Sequence, residues 1–207
     1  MPMVLYVDSL FASPWAMSSF VALTEKDLPF TVETVNLALG EQLHDDFAGR
    51  AVTGRVPALA DGAFVLNEST AITEYLDDCY PAPAYQALYP QDRRQRAQAR
   101  QVQAWIRSDL AAVRVERDTE TVFFGKACAP LSPAGQAAAA KLVHVAEQLV
   151  QGPNLFGAWS IADVDLALML NRLIFNGDPV PARLREYAAG QWQRASVRQW
   201  LAQQRPA

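Results

Sequence analysis

Hydrophobic and polar residues follow two different periods along the first eighty residues of the chain. Some segments are short apolar runs or alternate apolar with polar positions, as strands do, and others place apolar residues on one helical face. The predicted strands are residues 3–7, 30–35, 57–59 and 64–66, and the predicted helices are residues 14–23 and 70–79. Asp61-Gly62 predicts a tight hairpin turn between the last two strands. The order β-α-β-(loop or helix)-β-β-α predicts a sheet with helices packed on it.

The second half of the chain has a helical pattern and follows a stretch interrupted by prolines. Pro81, Pro83 and Pro90 cannot continue a helix. From Arg93 onward, the pattern predicts helices at residues 101–116, 134–150, 161–175, 184–189 and 197–201. The segment 161–175 is apolar nearly all round, which predicts a buried central helix. We therefore predict an α/β domain over residues 1–80, a linker over 81–92 and an all-helical domain over 93–207.

Composition narrows the class of protein. Of the 207 residues, 51% are hydrophobic and 19% are charged, as in an ordinary globular protein, and the net charge is -4. A nucleic-acid or anionic-membrane partner favours a basic face, so we expect neither. We identify no signal peptide and no apolar stretch of bilayer length, and therefore expect a cytoplasmic protein. Cys79, Cys128, His44 and His144 form no disulfide framework or metal-ligand pattern, so no metal is expected.

Ser13-Pro14-Trp15-Ala16 directly follows the first predicted strand. Serine at the N-cap and proline at the first helical position begin many helices, so the motif alone favours a structural role. The same hydroxyl lies where helix N–H groups and the helix dipole favour an anion such as a thiolate. Capping and thiolate binding compete for this hydroxyl in our interpretation, and the sequence leaves both open.

Arg55-Val56-Pro57 begins the third predicted strand. Proline has no N–H to donate and therefore belongs at the start or edge of a strand. A cis bond before Pro57 would leave the main-chain N–H and C=O of Val56 for an extended peptide ligand. An edge proline without any ligand is the alternative.

Glu68 and Ser69 precede the last helix of the first domain. Ser69 is either an N-cap alone or, with the adjacent N–H groups, a site for a carboxylate. Glu68 would then meet the ammonium group of the same ligand. An acid beside an anion-binding turn fits the α-amino acid end of a γ-glutamyl group.

Ser160-Ile161-Ala162-Asp163 begins the predicted buried helix. Serine followed three residues later by an acid is a capping box. We assign this motif to folding rather than to catalysis.

Together these motifs resemble the cytosolic glutathione transferase family over essentially the whole chain. The signature is S-P-W-A after the first strand, then R-V-P-A-L, N-E-S-T-A-I-T-E-Y-L and S-I-A-D-V-D-L-A. The stretches QAWIRSDL, NLFGAWSIADVDLALMLNRL and QWQRASV are most similar to the bacterial YfcF-type branch. The resemblance implies a thioredoxin-like glutathione-binding domain, a C-terminal helical bundle that shapes the second-substrate pocket, and a homodimer.

The resemblance also implies roles for individual residues, with Ser13 as the catalytic hydroxyl. The implied glutathione contacts are Gln42, Arg55, Val56, Pro57, Glu68 and Ser69, with His44 as a second candidate beside Gln42 at the glycine end. The implied second-substrate pocket contains Phe11, Trp15, Trp105, Ser108 and Ala112, although a core position is an equal interpretation of Trp105. The chain departs from the family at residues 51–54, where many relatives carry Asn-Pro, and Ser18 and Ser19 add hydroxyls near Ser13.

The implied function is transfer of glutathione to a small electrophile, extended by a glutathione-dependent peroxidase activity. Glutathione is the co-substrate, and no metal takes part. Two alternatives stay open, a glutathione-dependent disulfide reductase or isomerase and a non-enzymatic glutathione-binding protein, because a fold does not establish chemistry. Serine rather than cysteine at position 13 argues against an enzyme-bound mixed disulfide.

Overall fold

The computed structural model describes residues 2–44, 47 and 51–205. The chain divides into two compact units. The first contains the chain up to Leu88 together with the segment from Ser196 onward, and the second is Tyr89–Ala195. We describe each unit by itself.

The first unit is built on a four-stranded mixed sheet. Its strands are β1 (Met3–Asp8), β2 (Phe30–Val35), β3 (Ala58–Asp61) and β4 (Phe64–Asn67), in the spatial order β2-β1-β3-β4. β1 is parallel to β2 and antiparallel to β3, and β3 is antiparallel to β4. Its described helices before Leu88 are α1 (Pro14–Glu25) and α2 (Ser69–Cys79), and two 3-10 turns, Leu37–Leu39 and Glu41–Leu43, follow β2. The predicted α/β domain, a sheet with helices, is confirmed.

A buried lysine fixes the end of α2 in the first unit. Lys26, at the C-cap of α1, is 1% exposed. Its ammonium group donates to Asp77 Oδ1 at 3.0 Å and to the carbonyl oxygens of Tyr80 at 2.7 Å and Gln86 at 2.9 Å. These three bonds use all three ammonium protons, and Asp77 Oδ1 also accepts the main-chain N–H of Leu88. A buried charge is tolerated here because it is fully paired.

The second unit is helical. Its helices are α3 (Arg93–Ser108), α4 (Ala111–Glu116), α5 (Thr119–Phe124), α6 (Pro133–Leu149), α7 (Ile161–Ile174) and α8 (Ala182–Trp192). The helix predicted over 101–116 is interrupted, because Leu110 has a left-handed backbone with φ 59° that an α-helix cannot contain. The prediction missed α5, which is only six residues long.

The centre of the helical unit is α7, as predicted from its apolar surface. Every residue from Ile161 to Leu173 is buried. A chain of hydrogen bonds pairs three polar residues of this core: Gln103 Nε2 donates to Asp165 Oδ2 at 2.7 Å and Tyr89 Oη donates to Gln103 Oε1 at 2.8 Å. The predicted all-helical second part is confirmed.

The observed units differ from the predicted division at residues 80 and 93. The prediction assigned residues 196–207 to the helical domain, whereas the segment from Ser196 onward belongs to the first unit. The last helix, α9 (Ala195–Leu201), contains Trp200, which is 0% exposed and packs against Phe11 and Phe20 with ring centroids 5.5 and 5.4 Å apart. Burial of this indole explains the assignment, because large aromatic side chains dominate core energetics.

No helix in the described ranges has the length and apolarity that crossing a membrane requires.

Candidate functional site

Strand register brings four chain segments to one end of the sheet. Tyr6 of β1 pairs with Ala58 at the start of β3, and Ala58 pairs with Asn67 at the end of β4. Asp8, the last residue of β1, pairs with Val35, the last residue of β2. The segments that begin or end at this edge are residues 9–13, 36–44, 55–57 and 68–69. They carry Ser13 and every predicted glutathione contact.

Ser13 is the N-cap of α1, with Pro14 at the first helical position. Its Oγ accepts the main-chain N–H of Ala16 at 3.2 Å. A hydroxyl has two acceptor positions and one separate proton, so this bond leaves the proton of Ser13 available. Among the described residues the hydroxyl of Ser13 donates to none. Capping and donation to an anion therefore use different parts of one hydroxyl, and the competition that we expected is not required.

The loop before Ser13 is organised by a buried carboxylate. Asp8 is 5% exposed, and its two oxygens accept the main-chain N–H groups of Ala12 at 2.8 Å and Ser13 at 2.9 Å. Phe11, which lies between Asp8 and Ala12 in this loop, has φ 50°. A bulky residue in this left-handed region costs about 1–3 kcal/mol, so neighbouring contacts must hold it there. The sequence analysis missed Asp8, although an acid ending an apolar strand five residues before Ser-Pro was visible.

Val56 and Pro57 lead into β3 through a cis peptide bond. Pro57 is buried, Val56 is half-buried and Arg55 is exposed. The carbonyl oxygen of Arg55 accepts from Asn67 Nδ2 at 3.1 Å, which ties the entry of β3 to the end of β4. Within the described part of the chain, the main-chain N–H and C=O of Val56 have no hydrogen-bond partner. They are therefore available to an extended ligand.

Glu68 and Ser69 lie at the start of α2. Glu68 is the N-cap, is exposed and has φ 67°, whereas Ser69 is the first helical residue and is 3% exposed. Ser69 is thus not the N-cap, which was one of its two predicted roles. A left-handed glutamate is a strained conformation of the kind that clusters at ligand sites. An acidic residue therefore stands directly before the N-terminus of α2.

The segment after β2 carries Gln42 and His44. Gln42 belongs to the second 3-10 turn, and its Oε1 is buried without a partner among the described residues. A Cβ placed on Gly54 would lie 3.6 Å from the carbonyl oxygen of Gln42, so this turn is close to the chain that precedes Arg55. His44 is exposed and lines a cavity of about 530 Å³ whose described lining, with Tyr6 and Phe47, does not include Ser13.

The five predicted second-substrate residues lie in different surroundings. In the first unit, Trp15 is half-buried and Phe11 packs edge-on against Trp200. In the helical unit, Trp105 is half-buried, and its Nε1 donates to Asp109 Oδ2 at 3.1 Å. Trp105 lines a groove of about 560 Å³ within that unit, so it is not a core residue. Ser108 is exposed, and Ala112 is half-buried.

Two hydroxyls that could be confused with Ser13 are removed from consideration by burial. Ser18 and Ser19 are each 0% exposed on α1. Neither can reach a ligand at the end of the sheet without unpacking the helix. Among the described residues, no group of three His, Cys, Asp or Glu side chains is arranged to hold a metal ion.

Comparisons with known proteins agree with this architecture. The model described as "Glutathione S-transferase, N-terminal domain" matches residues 12–79, and the one described as "Glutathione S-transferase, C-terminal domain" matches residues 92–205. Human glutathione S-transferase theta-1 is 34% identical over 73% of this chain and 62% of its own length. Glutathione S-transferase Z1 of Arabidopsis thaliana is 31% identical over 81% of this chain and 78% of its own length.

A solved structure extends the match over nearly the whole chain. A glutathione transferase homologue from Burkholderia, solved with bound glutathione, is 44% identical, with a TM-score of 0.80 over 97% of this chain and 96% of that one. The match to the human relative covers less than two thirds of that protein's length. The two family models, the sheet order and the helical second unit together show that the chain belongs to the glutathione S-transferase family.

Proposed function

We propose that this protein is a glutathione transferase in which Ser13 activates the thiol of glutathione for attack on a small electrophile. The observation that carries the proposal is the hydroxyl of Ser13, which caps α1 through its oxygen while its proton has no acceptor among the described residues. The N-terminus of α1 adds helix N–H groups and a dipole that favour an anion at this position.

The stabilisation of a thiolate by Ser13 and the N-terminus of α1 is large enough to activate the thiol. A thiol with a pKa near 8.5 is only a few per cent ionised at neutral pH. Lowering its pKa by about two units makes it mostly thiolate and requires roughly 2.7 kcal/mol. One hydrogen bond to a charged acceptor contributes about 1.5–3 kcal/mol, so the hydroxyl of Ser13 and the helix N-terminus together suffice.

The other parts of glutathione fit the other chain segments at this end of the sheet. The main chain of Val56, which has no hydrogen-bond partner among the described residues, can bond the cysteinyl part of glutathione as an added strand does. Ser69 with the start of α2 suits the γ-glutamyl carboxylate, and Glu68 suits its ammonium group. Gln42 remains our candidate for the glycine end, with His44 as the second candidate, and Arg55 flanks the glutathione backbone where Pro57 shapes the entry of β3.

Other parts of the proposal rest on the family resemblance. They are a homodimer, a cytoplasmic location, membership of the YfcF-type branch and the second-substrate roles of Phe11, Trp15, Trp105, Ser108 and Ala112. Peroxidase activity would use the same thiolate. Disulfide reduction and non-catalytic glutathione binding are the alternatives that the experiment separates.

The experiment measures glutathione binding by calorimetry and turnover with an aryl halide, a hydroperoxide and a mixed disulfide. Ser13→Ala is expected to bind glutathione and to lose about tenfold to hundredfold in kcat, the equivalent of one charge-assisted hydrogen bond. Ser132→Ala is the matched control, because Ser132 also caps a helix before a proline, accepting Gly135 N–H at 3.1 Å. It is expected to keep wild-type turnover.

Each alternative gives a different result. Equal turnover in wild type and Ser13→Ala would show that Ser13 only caps α1. Binding without turnover of any of the three substrates would identify a glutathione-binding protein, and turnover of the mixed disulfide alone would identify a reductase. Absence of glutathione binding would remove the proposed function and leave the fold unchanged.

A further inference from the structure

The C-terminal segment of the chain reaches the loop that carries Ser13, and both belong to the first unit. Arg205 Nη2 donates to the carbonyl oxygen of Phe11 at 3.2 Å. The ring of Phe11 packs edge-on against Trp200 of α9, with centroids 5.5 Å apart. Arg205 therefore holds the main chain of Phe11, and Trp200 contacts its side chain.

These contacts hold the strained residue of the loop. Phe11 has φ 50°, a backbone conformation that costs a bulky residue about 1–3 kcal/mol and persists only when its surroundings impose it. Phe11 N–H donates to the carbonyl oxygen of Asp8 at 3.0 Å, which closes the loop from the β1 side. The guanidinium of Arg205 holds the carbonyl group of the same residue from the opposite end of the chain.

Arg205 is itself immobilised, so it can act as an anchor. Its Nη1 donates to the carbonyl oxygen of Leu201 at 2.9 Å, and its Nη2 also donates to that of Trp200 at 3.2 Å. These are carbonyls at the C-terminus of α9, where a cation is favoured by the helix dipole. The planar fork of an arginine spreads its donors over a wider, fixed span than the compact ammonium group of a lysine does.

The charge of Arg205 also interacts with that of Asp8, which binds the same loop. Burial lowers the pKa of Arg205, and the negative charge of Asp8 opposes that shift. Asp8 in turn binds the main-chain N–H groups of Ala12 and Ser13. A buried carboxylate next to a thiolate would disfavour the thiolate, and a nearby guanidinium offsets that repulsion.

We propose that Arg205 is a positioning residue for Ser13: by holding the main chain of Phe11 and balancing Asp8, it sets where the hydroxyl of Ser13 points. The inference rests on the proposed role of Ser13 in activating glutathione. Arg205 itself acts through the loop and need not touch the substrate.

The test compares Arg205→Met, Arg205→Lys and the control Arg198→Met, an exposed arginine on α9. Arg205→Met is expected to lower kcat by roughly tenfold with little change in KM for glutathione, because misplacement of a reacting group acts on the chemical step. The ultraviolet absorbance of bound glutathione thiolate should fall in parallel. Arg205→Lys keeps the charge and should recover part of kcat, and Arg198→Met should match wild type.

A double variant separates this inference from the proposed function. If Arg205 acts through Ser13, then Arg205→Met added to Ser13→Ala should lower kcat by less than about twofold further, because residues that act as one unit are non-additive. A full tenfold further loss, or wild-type kcat and thiolate absorbance in Arg205→Met, overturns the inference while the effect of Ser13→Ala still supports the proposed function.

Wild-type turnover in Ser13→Ala overturns both. If Arg205→Met does not fold, as judged by circular dichroism, Arg205→Gln replaces it in every comparison, because its amide can still bond carbonyls of α9 but lacks the charge that balances Asp8 and the long fork that reaches Phe11.

Discussion

Ser13 and Ser160 both begin helices, but among the described residues only the hydroxyl proton of Ser160 has an acceptor. Ser160 caps α7, is 0% exposed, and donates its Oγ proton to Asp163 Oδ2 at 2.9 Å. Ser13 caps α1, is half-buried, and accepts a main-chain N–H through Oγ without donating to any described residue.

The position of the neighbouring acid explains the difference. Asp163 follows Ser160 by three residues, so its carboxylate lies over the cap and takes both the main-chain N–H, at 2.8 Å, and the hydroxyl of the serine. Asp8 precedes Ser13 by five residues and takes only its main-chain N–H. At these two caps, Asp163 therefore takes the hydroxyl proton of Ser160, whereas Asp8 orients the backbone of Ser13 and leaves the proton of its hydroxyl without an acceptor among the described residues.

The largest expected effect is on the free energy of unfolding, when the acid that pairs with Ser160 is replaced. Asp163→Asn replaces a carboxylate whose Oδ1 accepts from Leu155 N–H at 2.7 Å and Tyr187 Oη at 3.0 Å, and whose Oδ2 binds Ser160. Burial raises the pKa of Asp163, and the hydrogen bonds from Leu155, Ser160 and Tyr187 act in the opposite direction. An amide leaves buried donors without acceptors, so we expect a loss of about 3 kcal/mol in the free energy of unfolding.

Urea unfolding followed by circular dichroism measures this loss, with Glu186→Gln, an exposed acid on α8, as the control. A loss that is no larger than that of the control would mean that the capping box does not stabilise α7.

An intermediate effect separates capping from chemistry at Ser13. Aspartate caps helices as well as serine does, so Ser13→Asp should keep the free energy of unfolding within about 0.5 kcal/mol of wild type. A carboxylate has no proton to donate and repels a thiolate, so kcat should fall by about a hundredfold or more. Steady-state turnover and urea unfolding on the same samples give both numbers.

Ser13→Thr, which retains cap and hydroxyl, is the matched control. Substantial turnover in Ser13→Asp would show that the hydroxyl proton is not what activates the thiol.

The smallest expected effect is that of replacing Ser160. Ser160→Ala should cost about 1 kcal/mol in the free energy of unfolding, as loss of an N-cap usually does, and should leave kcat unchanged. Thermal unfolding and the aryl halide assay measure the two quantities. A fall in kcat without loss of stability would contradict the assignment of Ser160 to folding.

Much of the fold could be predicted because it follows from local patterns of hydrophobic and polar residues. The residues of β2 are those that its alternating pattern predicted, and α7 is buried on all sides, as its composition indicated. The break at Leu110 could not be predicted, because the apolar stripe continues through it and only packing imposes φ 59°. The assignment of the segment from Ser196 onward to the first unit depends on where Trp200 is buried, which no local pattern records.

The sequence by itself determined the family, the order of strands and helices in the α/β part, the helical nature of the second part, and the residue types at the candidate glutathione site. It also placed Ser13 and Ser160 at helix starts, because cap preferences are local and are visible in a few consecutive residues. Only the tertiary structure decided which hydroxyl keeps its proton and that Arg205 contacts the loop of Ser13. Those facts depend on burial and on hydrogen bonds between residues far apart in the chain, such as Phe11 and Arg205.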